Sequence, residues 1–321
     1  MTVLRKVFVS MLFVIGSVQS ACTLSAQTLQ QAPGFYRATL GSFTFTALSD
    51  GTAPRDMAKI LSKPDVATLQ YDSDHEKEPI ALSINAYVIN TGSHWVLIDT
   101  GAGELFGGTS GKLIVNMKAS GIDPKQIDIV LLTHIHADHS GGLTVGGTMQ
   151  FPNATVYVDK RDVDLFVNRS VTPADSPDLR RIVAQSQATV GPYLRAGKIV
   201  FIAHDGQIIP GIESRSQPGH TPGHTAYIVE SSGHKILFWG DIVHAAEVQF
   251  ARPDITVQYD IDPSEAAIQR LREFQFAADS GIVVASDHIS FPGLGHVRKL
   301  ATGYAWLPVP YSASVNEIDP K

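Results

Sequence analysis

Apolar residues in this chain fall mostly into short unbroken runs closed by glycine or small polar residues, a pattern that predicts buried strands more often than surface helices. Residues 35–40 and 43–48 have strand composition about a Gly41-Ser42 turn, and residues 84–89 and 95–99 flank a second hairpin signal at Asn90-Thr91-Gly92-Ser93. Further strands are expected at 127–132 and 155–158, and 226–230 turns at Ser231-Ser232-Gly233 into 235–239. Helices are expected over 112–120, closed by Gly121, over 160–168, and again toward Tyr193 after a polar stretch at 169–177. A last helix is expected over 263–278, with Pro263 near its start and Ala267, Ile268, Leu271 and Phe274 at helical spacing. Periodicity alone gives a mixed α and β chain whose two halves repeat strands, hairpin and helix.

The segment after the run at 127–132 carries candidate chemistry. Thr133-His134-Ile135-His136-Ala137-Asp138-His139 places three imidazoles and a carboxylate on a turn after a buried strand. A helical zinc site would instead need histidines four residues apart. Alternate residues of an extended segment share a face, so His134 and His136 can grip one cation. The turn redirects Asp138 and His139 toward a second, roughly 3.5–4 Å away in two-metal sites. A solvated loop with clustered histidines is the alternative, but it leaves the downstream residues unexplained. His220 lies in Gly219-His220-Thr221-Pro222-Gly223-His224, while Asp241 and His288 each end an apolar run. The latter two could emerge with the histidine cluster at one end of a sheet, where loops build sites. Five histidines and two carboxylates suffice for two cations; imidazole suits zinc, iron or cobalt, and a carboxylate can bridge.

In this order, HxHxDH, GHTPGH, Gly240-Asp241 and a late histidine resemble the metallo-β-lactamase superfamily over nearly the whole chain beyond its N-terminus. Four stretches, Leu48-Ser49-Asp50-Gly51-Thr52, Asp99-Thr100-Gly101-Ala102-Gly103, Val248-Gln249-Phe250 and Ser290-Phe291-Pro292-Gly293-Leu294-Gly295-His296, are most similar to the methyl parathion hydrolase branch. That branch is similar to dinuclear hydrolases that open lactones and aryl esters. The resemblance implies an α/β fold of the αββα sandwich type, in a single domain over 27–321. It implies two divalent metal ions, zinc foremost: one on His134, His136 and His220, the other on Asp138, His139 and His288, with Asp241 bridging. Two cations sharing a water make hydroxide near neutral pH and polarise a substrate oxygen, so no serine or cysteine nucleophile is required. Asp138 could shuttle the released proton, which makes Asp138 and Asp241 the catalytic carboxylates.

The same resemblance sets the surroundings. Asp99 is expected to orient the histidine loop, with an ordinary strand-end turn as the alternative. His224 is expected to support the metal ligands rather than join them. Phe106 and Phe166 match pocket aromatics of the branch, whereas His244 and Tyr259 stand where it tends to carry aliphatic residues. An imidazole and a phenol there favour a substrate with hydrogen-bonding oxygens, such as a lactone, over a bulky phosphotriester. Core packing is the alternative for all four. His75, His94, His204 and His234 read as surface residues and His296 as a packing or hydrogen-bonding one.

Composition narrows the classes. Hydrophobic residues at 44% and charged ones at 17% of 321 residues supply a sizeable core and argue against wholesale disorder. A formal net charge of -6 disfavours a nucleic-acid partner, which calls for a basic stripe. Arg5 and Lys6 precede an apolar run at 7–18, and Ser20, Ala21, Ser25 and Ala26 follow: the order of a secretory signal over 1–26. Its apolar run is shorter than the roughly 20 residues that span a bilayer, so no membrane contact is expected after its removal. The protein is expected to be periplasmic or secreted. Cys22, the only cysteine, sits at this junction beside Gln19, where lipoprotein processing uses an aliphatic residue; no internal disulfide can form.

The expected function is a dinuclear hydrolase of lactones and aryl esters, with phosphotriester turnover as a main or side activity. Its partner is a small-molecule ester, lactone or phosphotriester, and a homodimer is left open. A periplasmic β-lactamase is the rival on the same fold, against which stands Asp241, since β-lactamases of the superfamily use no bridging aspartate there. A non-catalytic binding protein would be expected to show a broken ligand set.

Overall fold

The hairpins, each read from an alternating run about a glycine turn, grow into two large sheets. The computed structural model describes residues 31–73, 79–202 and 205–318; the expected signal at 1–26, Cys22, His75 and His204 lie outside the described residues. The first sheet contains β1 (Phe35–Leu40), β2 (Phe43–Arg55), β3 (Ile80–Asn90), β4 (Trp95–Ile98) and β5 (Ile129–Leu131). A small ribbon of β6 (Thr144–Val145) and β7 (Thr148–Met149) intervenes before β8 (Thr155–Asp159) and β9 (Ile199–Ile202) complete it. Pairing is antiparallel from β1 to β4 and parallel from β4 through β5 and β8 to β9.

The second sheet runs β10 (Gly206–Ile209), β11 (Ile212–Ser216), β12 (Thr225–Ser231), β13 (His234–Phe238), β14 (Val283–Ala285), β15 (Leu294–Lys299) and β16 (Tyr304–Pro308). Only β13 and β14 pair in parallel. Strands β9 to β11 and the final pair β15–β16 are not expected from the sequence: β10, β11 and β15 mix polar residues into their runs, and the short apolar runs of β9 and β16 are half-exposed.

Alternation along the central strands explains their unbroken apolar runs, because both faces are covered. In β4, Val96 and Ile98 point into the layer between the sheets, while Leu97 points to the helices outside. In β13, Ile236 and Phe238 point inward and Leu237 outward; in β14, Val283 and Ala285 point inward and Val284 outward. The inter-sheet core also holds Phe45, Tyr87 and Tyr227. Outside the first sheet pack helices α1 (Leu113–Ala119) and α2 (Pro177–Thr189), and outside the second packs α3 (Pro263–Ser280). This is the four-layered αββα sandwich that the resemblance implies.

Two helical expectations are corrected in detail. The stretch at 160–168 is one α-turn, Lys160–Asp162, followed by a wide π-turn, Val163–Val167. In α3 only Phe274 of the stripe Ala267, Ile268, Leu271 and Phe274 is buried: Ile268 and Leu271 are 45% and 46% exposed. The helix instead buries Ala266, Gln269, Arg270, Glu273, Phe274 and Ala277. Arg270 drives this choice, donating from Nε to the carbonyl of Ile242 (2.6 Å) and from Nη1 to those of Pro253 (3.0 Å) and Ile255 (2.8 Å). A buried guanidinium satisfied by three carbonyls ties the helix to the segment that follows Asp241.

The carboxyl end of β5 in the first sheet leads into residues 133–139, and those of the neighbouring strands β13 and β14 in the second lead into Asp241 and His288. The turn that follows the 133–139 loop is pressed against the loop after β4 at Gly142, where an added Cβ would fall on the carbonyl oxygen of Thr100.

Candidate metal centre

Asp241 is the hub of the site. It follows Gly240, whose φ of +56 is open to glycine and whose added Cβ would lie 2.6 Å from His224 Nε2. The buried carboxylate turns two oxygens to two groups of imidazoles. His134 Nε2 (3.6 Å), His220 Nε2 (3.1 Å) and His244 Nε2 (3.0 Å) face Oδ2. His139 Nε2 (3.0 Å) and His288 Nε2 (3.1 Å) face Oδ1. His136 joins the first group through Nδ1, 3.0 Å from His220 Nε2, and Asp138 the second, its Oδ2 3.6 Å from His288 Nε2. The ligand atoms of His134, His136, His220 and Asp241 all lie within 4.8 Å of one another, as do those of Asp138, His139 and His288.

These groups fit cations better than they fit one another. His134 Nε2, His139 Nε2 and Asp241 Oδ1 are buried without a hydrogen bond, although His139 and Asp241 approach to 3.0 Å. Buried polar atoms left unpaired are costly, and an all N/O donor set of this kind suits two divalent ions. Burial, with His220 next, holds His136 down to about 3, so it stays neutral and keeps its lone pair. Burial, the largest single effect, opposes charge on His220 and His288, but Asp241 together with Asp260 at His220 and Asp138 at His288 raises each to about 9. Protons thus occupy, near neutral pH, positions that divalent cations would take over.

Several of the ligands are held from behind. Asp99, in the left-handed region at φ 56, accepts from Thr133 N (2.8 Å), Thr133 Oγ1 (2.7 Å) and His139 Nδ1 (2.8 Å), so it does orient the histidine loop. His224 uses both nitrogens on backbone: Nε2 accepts from Asp241 N (3.0 Å) and Nδ1 donates to Gln217 O (3.2 Å). It therefore positions Asp241 and has no nitrogen to spare. His288 Nδ1 donates to Ser83 O at 2.9 Å.

Two supporting carboxylates lie outside every sequence motif. Asp260 accepts from His220 Nδ1 (2.8 Å) and Val257 N (3.0 Å). Asp162 is buried between the metal-bearing loops and accepts from Ile135 N (3.2 Å), Thr221 Oγ1 (2.8 Å) and Gly223 N (2.6 Å). Burial raises Asp162 to about 6 against these three donors. Their only sequence signal is an aspartate beside an apolar segment, which is common. Asp162→Ala strands three donors and unties the loops; it is expected to lower stability by about 2–4 kcal/mol, read as a drop in the thermal midpoint, and to lower bound metal. An unchanged midpoint and metal content would remove the carboxylate from this role.

The centre forms the floor of a cavity of about 640 Å³. Phe106, His244 and Tyr259 line it, with Asp138, His220, Asp241 and His288. Phe166 does not: it is wholly buried in the core beneath the helices, its ring 5.7 Å from that of His136. The π-turn carries it inward, so it buttresses a ligand rather than meeting substrate. His94 lies 3.8 Å from Asp128, and His296 pairs through Nδ1 with Gly281 O, both away from the centre.

Comparison with known proteins agrees with this geometry. The profile of the metallo-beta-lactamase superfamily matches residues 79–288. An N-acyl homoserine lactonase of Bacillus thuringiensis is 23% identical over 212 residues, 60% of this chain and 76% of that protein. The crystal structure of hydrolase AbOPH is 33% identical, with a TM-score of 0.83 over 88% of this chain and 100% of that one. AidC, a dizinc quorum-quenching lactonase solved with the product N-hexanoyl-L-homoserine, is 25% identical, with a TM-score of 0.81 over 87% of this chain and 98% of that one. The profile spans well over half of the sequence and ends on the last histidine of the site, and this chain belongs to the metallo-beta-lactamase superfamily of metal-dependent hydrolases.

Proposed function

We propose that this protein hydrolyses lactones, with N-acyl homoserine lactones the leading class and aryl esters and phosphotriesters as side substrates. The carrying observation is the bridging posture of Asp241, one oxygen toward each group of ligands, at the floor of a cavity sized for a small molecule. Named relatives that act on acyl homoserine lactones support the substrate class. His134, His136 and His220 would hold one ion, Asp138, His139 and His288 the other, and Asp241 both, with zinc the favoured metal. When bound, two such cations supply Lewis acidity and a water of lowered pKa.

The chain's own residues do the rest. Water adds to the lactone carbonyl carbon, the ring C–O bond breaks, and an Asp138 oxygen carries the proton from the attacking water to the departing alkoxide. Asp138 suits this role because it alone of the seven candidate ligands is only partly buried. His244 offers a nitrogen, Nδ1, that is buried without a partner and can hydrogen-bond a substrate oxygen.

A metal-loaded panel of lactones, aryl esters, a phosphotriester and a β-lactam tests the reading, with the highest kcat/KM expected on a lactone. Preference for the β-lactam, or no turnover of any ester, overturns it. Elemental analysis should give close to two metal equivalents, and chelation should lower the thermal midpoint; one equivalent at full activity would refute the bridging role. The basic and apolar N-terminus supports export to the periplasm or beyond, testable by the mass and fraction of the mature protein.

A further inference from the structure

Arg55, the last residue of β2, stands in the wall of the cavity that opens on the metal centre. Its guanidinium carbon lies 4.8 Å over the ring of Phe106, and Nη1 donates to the carbonyl of its neighbour Pro54 at 3.1 Å. Among the described residues no carboxylate pairs with it. The other arginine on this cavity, Arg181, is by contrast engaged by Asp178 (3.2 Å) and Gln185 (3.2 Å) on its own helix.

A guanidinium carbon held over an aromatic ring is attracted to the ring's face, and the N–H donors not given to Pro54 are left without a protein acceptor among the described residues. Arg55 is also half-buried, so part of its water has been removed, and the Pro54 carbonyl is its one protein acceptor among the described residues. Ala53, Leu82, Phe106 and Ile261 share this lining, which suits an extended apolar arm rather than a wholly polar one. The unmet need in such a wall is an oxygen acceptor presented by the ligand, and a planar fork favours carbonyl or carboxylate oxygens.

We infer that Arg55 is a specificity-determining residue that hydrogen-bonds a second oxygen acceptor, a carbonyl or carboxylate on the arm of the substrate, remote from the scissile ring ester. The inference rests on the proposed lactone hydrolysis and narrows it: the preferred substrate is an acyl-substituted lactone with an acceptor in its arm, and a plain alkyl lactone is a poor one.

Three lactones of one ring type and equal arm length test this: an alkyl arm, an arm interrupted by a carbonyl, and an arm ending in a carboxylate. The metal-loaded wild type is expected to prefer at least one acceptor-bearing arm over the alkyl arm. Arg55→Met should shrink that preference about tenfold, chiefly through KM, the loss expected for one charge-assisted bond. Arg55→Lys, which keeps the charge but not the fork, should fall between them. The carbonyl and carboxylate arms show which acceptor is read. Unchanged preference in Arg55→Met, with a thermal midpoint matching the wild type, overturns the inference; should Arg55→Met fail to fold, equal preference in Arg55→Lys and wild type overturns it. Absence of turnover on all three lactones sinks lactone hydrolysis itself, and Arg55's role with it.

Discussion

Asp241→Asn is expected to lower kcat/KM on a lactone by about a thousandfold or more and to reduce bound metal clearly below two equivalents. The substitution keeps the size of the side chain. It replaces one of two acceptor oxygens with an NH2 group aimed at imidazole nitrogens only 3.0–3.1 Å away, where lone pairs must converge on cations. It also removes the negative charge that two bound cations would share. His224→Ala makes the contrast. His224 is spent on Asp241 N and Gln217 O, so its loss loosens the hub without removing a ligand, and a fall of about 10–100-fold is expected. Elemental analysis and steady-state kinetics on the paired variants check the ranking. A metal-free His224→Ala protein beside an active Asp241→Asn would reverse it.

His244→Leu should move two activities in opposite directions, lowering kcat/KM for a lactone and raising it for a bulky phosphotriester by about tenfold each. The imidazole is buried at the cavity floor, stacked on His288 at 5.0 Å and hydrogen-bonded through its side chain to Asp241. Burial lowers its pKa despite Asp241, so it is a neutral ring on the cavity lining whose Nδ1 is buried without a hydrogen-bond partner. A lactone oxygen can meet that nitrogen. A neutral phosphotriester with apolar arms gains more from the leucine, since an imidazole left unpaired beside it is a desolvation cost. Parallel changes in both activities would make His244 a packing residue and end the selectivity argument.

The residues that carry the site were legible because each sits in a short motif at a strand end. The run of apolar residues before Thr133 places the histidines at the edge of a buried sheet, and the same logic places Asp241 after β13 and His288 after β14. What stayed hidden depends on contacts between distant parts of the chain. Asp162 reaches Gly223, and Arg270 reaches Ile242; nothing local marks either residue for burial. Arg270 also inverts the reading of its helix, since a satisfied guanidinium turned inward leaves Ile268 and Leu271 to solvent. Phe166 escaped for a related reason: a π-turn shifts the phase by which a helical residue is assigned to a face. Nothing in the sequence singles out Arg55, and only the cavity around it shows its place.

The ligands are split between the sheets, with His134, His136, Asp138 and His139 behind β5 of the first and His220, Asp241 and His288 among the connections of the second. Metal binding is therefore thermodynamically linked to the docking of one half of the chain on the other. A free cation at a hundred times its dissociation constant would add about 2.7 kcal/mol to the folded state, a large share of the margin of a typical domain. Heat tolerance and resistance to proteases then become functions of the metal content of the surroundings. In a metal-poor medium the unfolded population would rise, and proteolysis, which tracks that population when opening is fast, would rise with it.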